Sequence, residues 1–231
     1  MSLYTDLYEK LYTTENMLLA EKLAIKNKSN NIYVKNYLKK RGVLLRLLQK
    51  SLKNKTYKTS EYTTKFVYEP KERLIKKLPF YPDRIVQHMI LNILKPIFLH
   101  TFITHTYSNI KNRGVMKCYL DITKDIKTHR KETTYCLKID IHHFYDSIDH
   151  DILKKLLRKI IGDVDMLNLL YEIIDSTDKG LPIGNYLSQY LANFYLTYMD
   201  HTLKEKVKVK YYYRYCYNHE NEKSKSIYVN K

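Results

Sequence analysis

At 231 residues the chain is long enough for one large or two small domains with a substantial core. Lys plus Arg outnumber Asp plus Glu by 41 to 24, a formal charge of +17 that suits a polyanion, either nucleic acid or an anionic membrane surface. No apolar run approaches the roughly 20 residues that span a bilayer, and the best stretch, 89–99, is broken by Asn92, Lys95 and Pro96. The N-terminus lacks the basic head and apolar core of a signal peptide. Cys118, Cys136 and Cys216 show no metal-type spacing, which argues against a disulfide framework and fits a reducing cytoplasm. Nucleic acid is therefore the expected partner, with no membrane. The 24 tyrosines invite a base-stacking reading. Lys, Asn, Ile and Tyr share AT-rich codons, however, and a low-GC genome accounts for most of them.

The first sixty residues read as helical. One apolar-periodic segment covers 14–25 and a second 32–52, separated by the polar break 26–31. Short alternations such as 62–68 predict strands. Asp83 is expected to N-cap a helix carrying Ile85, Val86, Met89, Ile90, Ile93 and Leu94, which Lys95-Pro96 ends or kinks. Leu137, Ile139 and Ile141 alternate as a half-buried strand, with Asp140 near its C-terminal end on the other face. Asp149 then N-caps a helix with apolar residues three and four apart from Ile152 to Ile161. Another helix is predicted at 164–176, then a loop at 180–184, a long helix at 186–206 and a last strand at 209–216. Leu187, Leu191, Phe194, Met199 and Leu203 are core by spacing. The succession is that of an α+β fold.

Three segments carry chemistry. The first, 73–87, is basic and contains Arg73, Lys76, Lys77 and Arg84. Guanidinium forks suit phosphate oxygens, and the alternative for each side chain is a solvated surface or a local ion pair. The second is Lys138-Ile139-Asp140 through Phe144-Tyr145 to Ile148-Asp149. A carboxylate at a strand end can hold a hard cation against phosphates or simply cap the next helix. The third is Gly180-Leu181-Pro182-Ile183-Gly184-Asn185-Tyr186-Leu187-Ser188-Gln189, followed by Leu191 to Leu196. Ser188 there also fits a helix cap.

In this order and spacing the three segments resemble reverse transcriptases over nearly the whole chain. The Ser188-Gln189 form, with Ile183 before Gly184, is similar to the enzymes of diversity-generating retroelements; intron-type enzymes more often carry Gln before that glycine and Pro after the serine. The resemblance implies a right-hand polymerase. Residues 1–60 would be an N-terminal helical segment, 61–134 the fingers, 135–216 a partial palm and 217–231 a polar tail outside the family, with no thumb. It implies RNA-templated DNA synthesis by two-metal phosphoryl transfer. Asp140 would be catalytic and would hold Mg²⁺ together with Ile141. Arg73, Tyr145, Ile183, Gly184 and Gln189 would meet the nucleotide, Tyr145 stacking under the sugar and excluding a 2′-hydroxyl unless it is ordinary packing. Lys76, Lys77, Arg84 and Arg113 would meet nucleic acid, and Gly114 beside Arg113 would allow a positive φ or a close backbone approach. Expected partners are template RNA, cDNA and a retroelement accessory protein.

The pattern breaks at its last motif. The family's Tyr-x-Asp-Asp is here Tyr215-Cys216-Tyr217-Asn218, with neither carboxylate. The apolar return strand is expected to be missing as well, since the remaining residues are polar. The chain thus reads as a truncated or frameshifted reverse transcriptase that does not polymerise. The alternatives are a non-catalytic RNA or RNA–DNA hybrid binding remnant and a non-functional fragment.

Overall fold

The structure, a computed structural model, describes residues 3–68 and 74–215 in full and the backbone of 73 and 226–229. The chain divides into two compact units. One comprises the chain up to Lys65 with Leu74–Ile97 and Tyr145–Ser188; the other comprises Phe66 to Arg73, Phe98–Phe144 and the chain from Gln189 on.

The first unit is mainly helical. Helices α1 (Tyr8–Leu11) and α2 (Thr14–Ile25) are followed by α3 (Ile32–Lys39) and α4 (Arg41–Lys53). Thr13 caps α2 by accepting from the Asn16 N–H at 3.3 Å, and Met17, Ala20, Glu21 and Ala24 form its buried stripe. The single helix expected at 32–52 is broken at Lys40 (φ −119°, ψ 14°), whose N–H returns to the Tyr37 and Leu38 carbonyls. Strands β1 (Thr63–Val67) and β2 (Arg73–Lys77) make a two-stranded sheet.

A kinked turn, Phe80–Arg84, leads into α5 (Ile85–Thr101), whose start departs from expectation. Asp83 does not cap α5. It is fully buried, and its Oδ1 accepts from the Tyr57 hydroxyl at 2.7 Å and the Ser60 N–H at 3.0 Å. The polar groups of a distant segment have displaced the local cap. Nor does Pro96 end the helix, which continues to Thr101 because Ile97 and Phe98 remain buried. Helices α6 (Val115–Thr128), α7 (His150–Arg158) and α8 (Val164–Ile174) come next, α6 in the second unit. Asp149 caps α7 at the Ile152 N–H (2.9 Å), as the sequence predicts. Asp163 serves two helices, its Oδ1 accepting from Met166 N–H (3.0 Å) and its Oδ2 from Leu7 and Tyr8 N–H (2.7 and 2.8 Å). Burial alone would raise its pKa, but these backbone donors hold it below the ordinary aspartate value.

In the second unit, β3 (Thr106–Tyr107), β4 (Leu137–Ile139), β5 (Tyr212–Tyr215) and β6 (Ser226–Val229) form a sheet in the order β3-β5-β6-β4. β3 runs parallel to β5, and β6 is antiparallel to both β5 and β4. β6 is a return strand. This corrects the expectation that none exists: Ile227, Tyr228 and Val229 are strand-forming residues, and the charged and polar run at 218–226 before them concealed so short a strand. The helix expected over 186–206 is α9 (Tyr186–Tyr195), α10 (Thr197–His201) and a wide turn, Thr202–Lys206.

Candidate active site and nucleic-acid interface

The strand carrying Asp140 is positioned by register. Ile139 of β4 faces Ile227 of β6, and Ser226 faces Tyr215 of β5, so Asp140 follows the end of β4 at the end of the sheet where β5 also stops. Asp140 is exposed, whereas Ile141 packs against the buried pair Val209 and Tyr212 with Ile103, Met199 and Leu203. Tyr215 packs on the cluster of Tyr107, Cys118, Tyr211 and Tyr213. Cys216, Tyr217 and Asn218 lie outside the described residues. Among the described residues no group of three or more His, Cys, Asp or Glu side chains could hold a metal ion. The sequence adds Tyr and Asn where a second carboxylate would be needed. A two-ion Mg²⁺ site, which demands oxygen ligands from both motifs, does not fit this residue set.

Behind β5 lies a buried ion pair that the sequence did not disclose. The Arg214 guanidinium donates to both Asp200 oxygens (2.7–2.9 Å) and to the Asn193 side chain (2.9 Å), and Tyr212 donates to Asp200 at 2.6 Å. Arg214 and Asp200 are 1% and 0% exposed, so each charge depends on the other. Asn193 also donates to the Ser108 carbonyl (3.1 Å), tying α9 to the loop after β3. Asn193 stood in view within the third motif, but Asp200 sat in a helical pattern that gave no sign of burial. Arg113 donates to the Ile103 carbonyl (3.2 Å) and lines a cleft of about 280 Å³ with His105, Lys117, Lys124, Asp121 and Asp125. Gly114, expected to need a positive φ or a close backbone approach, has ordinary extended backbone (φ −103°, ψ −172°) and open space where a Cβ would stand. The positive φ belongs to Asn112. Gln189 is half-buried on α9.

The first unit gathers the remaining expected residues. Gly184 has φ +108°, and a Cβ there would lie 3.2 Å from Ile75 Cγ2, so only glycine fits this approach to β2. Gly180 (φ +66°) sits against the Tyr145 carbonyl and Asp146 backbone, where a Cβ would collide. Leu181 N–H donates to the Tyr145 carbonyl (2.8 Å), and His150 Nε2 meets the Gly180 carbonyl at 2.7 Å. The loop is thus seated on Tyr145, which is buried with Phe144. Ile183 and Lys76 are half-buried and Lys77 is exposed; the Arg73 side chain lies outside the described residues. Ser188 does not cap α9. That role falls to Gln87 of α5, whose side-chain oxygen accepts from the N–H groups of Tyr186 (3.1 Å) and Leu187 (3.4 Å).

These glycines, the strand-end Asp140 and the basic β2–α5 segment agree with comparison at the family level. The model of the reverse transcriptase (RNA-dependent DNA polymerase) family matches residues 68–216. The chain belongs to the reverse transcriptase family. The group II intron-encoded protein LtrA of Lactococcus lactis subsp. cremoris is 27% identical over 164 residues, 65% of this chain and 26% of that protein. The putative COX1/OXI3 intron 1 protein of Saccharomyces cerevisiae is 27% identical over 136 residues, 54% of this chain and 16% of that protein. Protein YkfC of Escherichia coli is 26% identical over 147 residues, 56% of this chain and 37% of that protein. This reverse transcriptase domain thus spans well under half the length of these relatives. Two are intron-encoded, the group that Ser188-Gln189 had argued against. In fold, it is similar to chains of a partial and a full Cas6-RT-Cas1–Cas2 complex, with TM-score 0.54 and 20% identity for each. Each match covers 97% of this chain, and 38% and 24% of those chains.

Proposed function

We propose that this reverse transcriptase domain holds template RNA or an RNA–DNA hybrid through its basic residues and does not itself transfer nucleotides. The observation that carries the reading is at the sheet end beside Asp140. The chain continues from β5 into Cys216-Tyr217-Asn218, so the single strand-end aspartate has no carboxylate partner in that motif. Tyr217 is neutral at pH 7, and Asn218 offers only a neutral carbonyl. RNA-templated DNA synthesis with Mg²⁺ is the activity proposed for an intact relative carrying Tyr-x-Asp-Asp. Within the family, Ile183 before Gly184 and the Ser188-Gln189 pair support a diversity-generating retroelement origin. Template RNA and cDNA are the proposed partners. Binding of a labelled RNA–DNA hybrid across a salt series tests the reading. The affinity should fall with a log–log slope of about −0.7 to −0.9 per phosphate neutralised. Folded protein that fails to bind in low salt, or binds independently of salt, would overturn it.

A further inference from the structure

The first unit gathers basic groups that no carboxylate among the described residues pairs with. Arg84 closes the kinked turn before α5, and its Nε donates to the Ala24 carbonyl (3.3 Å) in the last turn of α2. Lys28 follows in the turn after that helix, its backbone N–H returning to the Ile25 carbonyl (2.8 Å). His88 stands one helical turn beyond Arg84, with its ring 4.9 Å from that of Tyr186. It is 8% exposed, and its Nε2 is buried without a hydrogen-bond partner. Native structures rarely leave such an atom unsatisfied unless a ligand or water meets it.

Electrostatics agree with this geometry. Burial, then Arg84 and Lys28, push the His88 pKa down to about 4. Burial, then Arg84 and Lys77, lower that of Lys28, and burial lowers that of Arg84. Basic groups that repel one another in partial burial gain most from an anion placed among them. The guanidinium offers a planar fork, Lys28 a mobile point charge and neutral His88 a ring nitrogen, Nε2, that donates when it carries the proton.

We propose that Lys28, Arg84 and His88 form a seat for a phosphate group, carried either by a bound polynucleotide or by the triphosphate of a free nucleotide. The seat deepens the nucleic-acid reading above and adds Lys28 and His88, which no motif marked. The test follows the His88 imidazole signals by NMR in the full 231-residue chain, titrated separately with inorganic triphosphate and with single-stranded RNA. At least one should move the His88 Nε2 signal, and Lys28→Ala, at an exposed turn position, should weaken that binding at least threefold with the melting temperature unchanged. Movement by RNA alone assigns the seat to polynucleotide phosphate; movement by triphosphate alone assigns it to a nucleotide. If RNA does not bind but triphosphate still moves His88, the nucleic-acid reading fails and the seat stands. Should neither probe move His88, whether or not RNA binds, or should Lys28→Ala change affinity less than threefold, the seat is refuted.

Discussion

Among the described residues, tyrosine hydroxyls meet carboxylates at Tyr37 with Glu21, Tyr57 with Asp83, Tyr107 with Asp121, Tyr211 with Glu132, Tyr212 with Asp200 and Tyr213 with Asp125. In each, burial and the neighbouring anion push the phenol pKa up, so it stays a protonated donor at any physiological pH. Codon bias would account for an abundance of tyrosine. It does not explain why these rings occupy core positions with their hydroxyls satisfied. The Tyr57–Asp83 pair is buried, whereas the half-buried Tyr62 meets neutral partners, the Ser176 hydroxyl (2.8 Å) and the Asn185 side chain. Hydrogen bonds to charged groups contribute about 1.5–3 kcal/mol against about 0.5–1.5 for neutral ones. Tyr57→Phe should therefore lower the unfolding free energy by about 2 kcal/mol, and Tyr62→Phe by less than half of that, in urea melts. Equal losses would mean that the carboxylate adds nothing. None of this was visible beforehand. Asp83 before an apolar run has the form of a helix cap, and no local pattern points to a tyrosine 26 positions earlier.

Elements whose periodicity is self-contained were legible, and those decided by distant partners were not. Thr14–Ile25 matches its apolar spacing to the residue, because its cap and buried stripe are local. The start of α9 depends on Gln87, about a hundred residues away, so the loop-to-helix boundary gave Ser188 a capping role it does not have. The break near residue 196 was hidden because apolar spacing continues through it. There α10 and the following turn are fastened to α5 by His201, whose Nε2 meets the Thr101 carbonyl (2.9 Å) and whose Nδ1 meets Glu205 (2.6 Å). Burial alone would lower the His201 pKa, but the Thr101 carbonyl and the Glu205 carboxylate outweigh it and raise the value above 6.5. A raised folded-state pKa means that the stabilisation is complete below pH 6.5 and is lost as pH climbs through the folded value. His201→Gln should thus cost more stability at pH 5.5 than at pH 9 in denaturant titrations. A pH-independent cost would show that the charge on His201 does not contribute.

For the molecule as a whole, net charge and motif order were enough to reach the family, but composition misjudged the end of the chain. A polar segment was expected to offer no strand, yet Ser226–Val229 lies between β5 and β4 and closes the sheet beside Asp140. β5 and β4 are each one strand spacing of about 4.8 Å from β6, so their ends are within about 10 Å of one another. The missing feature at this sheet end is therefore chemical: the motif after Tyr215 supplies no carboxylate. Two ions need oxygen ligands from both motifs to clamp the attacking and leaving oxygens. The unmodified chain should show no primer extension on an RNA template with Mg²⁺ or Mn²⁺. Replacing Tyr217→Asp and Asn218→Asp together should tighten Mn²⁺ binding at least tenfold, read by water-proton relaxation, and adding Asp140→Ala should abolish the gain. A gain that survives Asp140→Ala would place the metal elsewhere. Extension by the unmodified chain that is lost on Asp140→Ala would show that a single strand-end aspartate suffices, against the two-ion argument.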